Sequence, residues 1–141
     1  MRWQYNDGGK KRAGFKGESG DCSLRAISIA TNQHYRTVKK VMDQMVIEMT
    51  GGLHRSCNNG TPEPVSHRYL TERGWELVLT KNSYLNDIPK RGTFIAVSPR
   101  HNCAVINGTV QDTWRSHQSN RTKTGYPVLQ GYYKLKGVCH V

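Results

Sequence analysis

Arg100-His101-Asn102-Cys103-Ala104-Val105-Ile106-Asn107-Gly108-Thr109-Val110-Gln111-Asp112-Thr113-Trp114 reads as a β-hairpin, and its register organises the residues around it. Asn107-Gly108 suits a two-residue turn because both central positions of such a turn need positive φ. With these two residues as the loop, Ile106 faces Thr109, Cys103 faces Asp112 and His101 faces Trp114. Strand alternation then gathers His101, Cys103, Val105, Val110, Asp112 and Trp114 on one face. His101 and Asp112 become diagonal neighbours, within reach of an imidazole–carboxylate hydrogen bond. That face is largely apolar and should pack inward, so a polar pair on it needs a compensating role.

Working outward, the residues before the hairpin alternate as strands over 75–79 and 93–98. The hairpin strands cover 102–107 and 109–114, and a last strand covers 130–135. Upstream the period is helical. Leu24, Ala26, Ile27, Ile29 and Ala30 predict a buried central helix over about 22–31, with Ser19 or Asp21 able to cap it. Tyr35, Val38, Val41, Met42, Met45, Val46 and Met49 predict an amphipathic helix over about 35–49, its methionines serving as core filler. A third helix over about 63–73 has Pro64 in its first turn and Gly74 as its stop. Residues 1–20, rich in glycine, read as an irregular basic leader, and 115–128 as a mobile loop. Helices first and an antiparallel sheet second define a single α+β domain over 1–141.

A chain of 141 residues suffices for one domain with a real core. No apolar run reaches the length of a membrane span, and the start lacks the apolar segment of a secretory signal. The expectation is a cytoplasmic protein with no membrane partner, whose four cysteines remain thiols. The net charge of +11 predicts attraction to polyanions, an acidic protein or nucleic acid. Its carriers include Lys10, Lys11, Arg12 and Lys16 in the leader, and Arg115, Arg121 and Lys123 beyond the hairpin. The plainer reading of the same residues is a well-solvated surface. Zinc-finger, helix-turn-helix and RNA-recognition patterns are missing, and Gly8-Gly9-Lys10-Lys11 lacks the spacing of a phosphate loop, so no cofactor is expected.

Cys22 begins the predicted buried helix, where free N–H groups and the helix dipole favour a thiolate. A neighbouring imidazole would lower the thiol pKa further, and an acid behind it would fix its tautomer. Backbone N–H groups at the same helix start can stabilise an oxyanion. Taken singly, such a cysteine is more often a small buried hydrophobe, and a histidine at a strand start is usually structural. Metal competes for the same side chains: His54 with Cys57, His101 with Cys103, and Cys139 with His140 offer zinc-type ligands. Without a Cys-x-x-Cys, and with adjacent strand residues pointing to opposite faces, no metal is expected. Cys57 and Cys139 read as incidental thiols.

Gly20-Asp21-Cys22-Ser23-Leu24-Arg25-Ala26-Ile27, followed by residues 100–108 and Asp112-Thr113-Trp114, resembles the papain-like cysteine peptidase superfamily. The likeness extends to small bacterial and phage proteins that open with Tyr-Asn-Asp-Gly-Gly, here Tyr5 to Gly9. The resemblance implies a papain-like α+β fold with Cys22 as nucleophile, His101 as general base and acid, and Asp112 as the orienting third member. It implies hydrolysis of an amide, peptide or isopeptide bond, by an accessory factor aimed at a host target. Papain-like enzymes usually carry a Gln about six residues before the Cys to complete the oxyanion hole, whereas this chain has Lys16. Asn6 or Gln4 could reach in instead, or backbone donors could suffice. The alternative is a catalytically silent papain-like fold that binds a host protein or nucleic acid through its basic surface. With little chain left for a separate recognition domain, the charge is expected to surround the cleft and select an acidic partner.

Overall fold

Leu24, Ala26 and Ile27 leave α1 (Cys22–Thr31) with no solvent-facing apolar stripe, and the helix is buried at the centre of the chain. It stops at Asn32, whose left-handed conformation lets its N–H reach back to the carbonyls of Ser28 and Ile29. α2 (Tyr35–Met49) buries Tyr35, Val38, Met42, Met45 and Val46 along one side, so two of its methionines are core residues as the pattern predicts. The His34 side chain caps its start by accepting from the Arg36 N–H. α3 (Glu63–Thr71) has its proline in the first turn and ends slightly before the expected boundary, with Gly74 in a positive-φ turn beyond it. The computed structural model describes residues 1–16, 20–58 and 60–137.

The sheet comprises β1 (Arg2–Tyr5), β2 (Trp75–Tyr84), β3 (Thr93–Ser98), β4 (His101–Ile106), β5 (Thr109–Asp112) and β6 (Val128–Leu135). Their spatial order is β1-β5-β4-β3-β6-β2. The β4–β5 hairpin has the register read from its turn: Ile106 pairs with Thr109, Val105 with Val110 and Ala104 with Gln111. Asn107 and Gly108 both adopt positive φ, as that turn requires.

Several expectations need correction. The sheet is mixed, because β1 runs parallel to β5, with Trp3 beside Val110 and Tyr5 beside Asp112. The leader is therefore not irregular throughout. Its first residues form an edge strand, fastened by the Trp3 indole N–H to the Trp114 carbonyl at 2.8 Å. Four residues followed by glycines carry too short a pattern to reveal a partner at the other end of the chain. β2 also continues past Leu79 through a register shift, and β6 starts at Val128, inside the stretch read as loop. Within that stretch Ser116 and His117 are buried.

Alternation along β3 divides the interior in two. Ile95 and Val97 join α1, α2, α3, Trp75 and Tyr133 in the larger core. Phe94 and Ala96 join Cys103, Val105, Val110 and Leu129 on the opposite face, together with Leu85 of a 3₁₀ turn (Leu85–Asp87) and Ile88 just after it. Among the described residues, no helix is long and apolar enough to cross a membrane.

β6 approaches β2 and β3 closely at Gly131, which pairs with Leu79 on one side and Val97 on the other. A Cβ there would lie 2.8 Å from the Val78 carbonyl oxygen and 3.3 Å from Leu77 Cδ1. Gly131→Ala should therefore destabilise the fold by about 1–3 kcal/mol, the usual cost of overpacking. Urea unfolding checks this, and an unchanged midpoint would mean that the β2–β6 pairing yields at this point.

Candidate active site

The hairpin's open end lies beside the start of α1. β3 turns into β4 through Pro99 and Arg100, and the positive φ of Arg100 brings His101 directly onto the strand. His101 Nε2 lies 2.5 Å from Asp112 Oδ2, the contact that the register predicts. Asp112 is buried, and further donors hold its carboxylate: Ser116 Oγ to Oδ2 at 2.7 Å and the Thr113 N–H to Oδ1 at 2.7 Å. The Trp114 ring packs against the imidazole with centroids 4.8 Å apart.

Cys22 is the first residue of α1, and α1 packs on β4. The Cys22 thiol faces His101 and the backbone of Asn102, and both favour its ionised form. Because Nε2 is committed to Asp112, the other ring nitrogen remains for the sulfur. Asn102 also donates from Nδ2 to Ser23 Oγ at 3.0 Å, so the same strand residue ties down both the sulfur and the helix start.

These contacts set the charges. Burial opposes a thiolate at Cys22, but hydrogen bonds from His101 and Asn102 and the positive charges of His101 and Arg25 outweigh it, and the thiol lies below its ordinary pKa. Burial likewise opposes an imidazolium at His101, yet its bonds to Asp112 and Cys22 push it up to about 9. Asp112 is also disfavoured by burial, but His101, Ser116 and the Thr113 N–H hold it below the usual carboxylate range. The arrangement therefore favours a thiolate–imidazolium pair over the neutral thiol and imidazole. The other described cysteines behave oppositely. Burial raises Cys57, whose sulfur contacts the Met42 carbonyl, and burial together with the Asp112 charge raises Cys103.

Cys22 and His101 open onto a cavity of about 640 Å³ between α3 and the β2–β6–β3 part of the sheet. Its walls include Pro64, Leu77, Leu79, Val97 and Tyr133. Gly131 contributes a bare stretch of backbone. Glu63 and Arg100 are the oppositely charged residues on this lining.

The remaining expected site residues lie elsewhere. Asn6 does not line the cavity, since its amide donates to Gln111 Oε1 at 2.8 Å and its carbonyl accepts from the Gly8 N–H. Gln4 is exposed on the edge strand opposite Gln111. Neither is brought to Cys22 as an oxyanion donor. Lys16 is exposed and also outside the cavity. Lys11, Arg12, Arg115, Arg121 and Lys123 likewise do not line it, so the expected basic rim around the cleft is absent among these residues. Lys10 is only half-buried but is turned inward. Its ammonium lies 3.0 Å from the buried carboxylate of Asp21.

Sequence reading missed Asp21 and Arg25. Asp21 holds the N-cap position but makes no side-chain cap bond; its carboxylate instead receives the Arg25 guanidinium, Lys10 and the Tyr35 hydroxyl. The i,i+4 spacing of Asp21 and Arg25 was the available signal. Among the described residues no group of three or more His, Cys, Asp or Glu is arranged to hold a metal, while Ser19, Cys139 and His140 lie outside the described residues. Compared with protein-family models, curated proteins and solved structures, the chain matches none.

Iodoacetamide at mildly acidic pH should modify Cys22 well ahead of Cys57 and Cys103, because only the Cys22 thiol is pushed towards the thiolate. Peptide mapping by mass spectrometry reads this directly, and equal labelling of the three would contradict the ion pair.

Proposed function

We propose that this chain is a thiol hydrolase of papain-like fold, cleaving an amide, peptide or isopeptide bond with Cys22 as nucleophile. The observation that carries the proposal is the contact chain from the Cys22 thiol through His101 to the buried Asp112 carboxylate, opening onto a cavity large enough for a substrate side chain. A structural histidine needs no acid behind it and no thiol before it.

In the reaction the Cys22 thiolate attacks the carbonyl carbon, and the carbonyl π electrons move onto oxygen. The first-turn N–H groups of α1 are suited to receive that oxyanion, since helix starts lack intrahelical acceptors and the Asp21 side chain does not cap them. His101 then passes its proton to the departing nitrogen as the carbon–nitrogen bond breaks, leaving a thioester on Cys22. Water attacks the thioester with His101 taking its proton, the carbon–sulfur bond breaks, and the acid is released with the thiolate restored. Asp112 keeps the imidazole in the tautomer and orientation that serve both half-reactions.

The cavity lining favours an apolar substrate segment next to the scissile bond. Leu77, Val97, Pro64 and Tyr133 outweigh its few charged groups, and the opposed charges of Glu63 and Arg100 offer no net attraction to an acidic chain.

A peptide library incubated with the protein and analysed by mass spectrometry should yield cleavage after segments with apolar residues. Cys22→Ala should abolish the cleavage, and Asp112→Asn should slow it by roughly 100- to 10,000-fold. Cleavage that survives Cys22→Ala would overturn the proposal. The pH profile should be bell-shaped. Activity needs the thiolate, so it falls as pH drops through the lowered Cys22 value, and it needs the imidazolium, so it falls again as pH rises through about 9.

A further inference from the structure

The hydrolytic steps leave one buried cation of the site without a role. Arg25 is 5% exposed and stands one helical turn after Cys22. One guanidinium nitrogen pairs with Asp21 Oδ1, and Nη2 lies 3.8 Å from Asp112 Oδ1. Asp112 gives its other oxygen to His101, so Arg25 and the imidazole share one carboxylate through different atoms.

The leader wraps this cation. The Asn6 N–H donates to the Asp112 carbonyl at 3.0 Å, which starts the wrap at the acid itself. Asn6 Oδ1 then turns the chain by accepting from the Gly8 N–H at 2.8 Å. Gly8, with φ +71, runs so close over α1 that a Cβ would lie 3.0 Å from the Arg25 carbonyl oxygen. Asp7 accepts from the Gly9 and Lys11 N–H groups, and Lys10 ends the wrap on Asp21. The run from Asn6 to Lys10 thus becomes a strap from Asp112 to Asp21 across Arg25.

The charges facing this cluster come from every packed element: Lys10 from the leader, Asp21, Cys22 and Arg25 at the start of α1, Tyr35 from α2, His101 from β4 and Asp112 from β5. Burial and the Asp21 charge raise the Tyr35 phenol, which stays neutral. The two carboxylates and the Cys22 thiolate then balance Lys10, Arg25 and the imidazolium. Without Arg25 the same groups would be left with one uncompensated negative charge as soon as the thiolate forms, which is costly in a buried site.

We propose that Arg25, held beneath the strap of residues 6–10, is a positioning residue that bridges Asp21 and Asp112, keeps the Asp112 carboxylate turned to His101 and supplies the positive charge that a thiolate at Cys22 requires. The inference deepens the hydrolase reading and rests on it.

The test uses the full chain and the variants Arg25→Gln, Arg25→Lys and Lys10→Met. The pH midpoint of Cys22 alkylation by iodoacetamide is measured beside thermal unfolding. Arg25→Gln should raise the midpoint by about one pH unit, equivalent to roughly tenfold slower labelling on the acid side. Arg25→Lys, which keeps the charge, should recover most of that loss, and Lys10→Met should shift the midpoint in the same direction by less. A lower unfolding temperature with an unshifted midpoint in Arg25→Gln would overturn the proposal and leave Arg25 a purely structural residue. If Arg25→Gln does not fold, an unshifted midpoint in Lys10→Met overturns it instead. A wild-type midpoint in the ordinary thiol range would sink the hydrolase reading, and the variants' shifts against that midpoint would still decide the role of Arg25.

Discussion

Burying a charge is tolerable only when another charge or several hydrogen bonds answer it, and the centre of this protein is arranged around that requirement. Asp21 lies 1% exposed at the mouth of α1 and is met by Arg25, Lys10 and Tyr35. Arg25 then reaches Asp112, which belongs to the far end of the chain. Each partner comes from a different element, so satisfying one carboxylate ties the leader, two helices and a strand together. The edge position of β1 follows from the same arrangement. The leader must run alongside β5 to deliver Asn6 to Asp112 and Lys10 to Asp21.

The same environment separates three cysteines that are chemically alike. Cys57 lies in the helical core, where burial favours the thiol. Cys103 lies under the sheet near the Asp112 carboxylate, where burial and a negative charge both favour the thiol. Cys22 is also partly buried, but it meets an imidazolium, a backbone N–H and a guanidinium, and these favour the thiolate. The ease with which a thiol ionises here is a property of its surroundings and not of the residue type. The overall charge of +11 follows a similar logic. It is carried away from the cleft, and the cleft itself is apolar with opposed charges on its lining. The charged exterior and the apolar cavity therefore answer to different chemistry, and the basic residues of the leader and of the stretch beyond the hairpin do not line the cavity beside Cys22.

Much of the architecture was legible because it is encoded locally. Periodic apolar residues marked α1 and α2, whose observed limits match the pattern closely, since a helix buries whichever stripe its spacing creates. Asn107-Gly108 set the hairpin register, and the register carried His101 to Asp112, because alternation propagates a local turn along both strands. What escaped was β1, whose few residues have no period of their own, together with the parallel direction of its pairing. The expected oxyanion roles of Asn6 and Gln4 failed for the same reason. Their position depends on the path of the leader, and that path is governed by Asp112 and Asp21.

By itself, then, the sequence determined the α+β class, the succession of elements from α1 onward, the hairpin and the pairing of imidazole with carboxylate. Each of these rests on spacing within a short stretch of chain. Only the tertiary structure decided that Cys22 meets His101, that Asp21 abandons its cap for Arg25, and that the leader closes over both. Those contacts join residues distant in the chain, and they form because buried charges find their partners only once the helices have packed on the sheet.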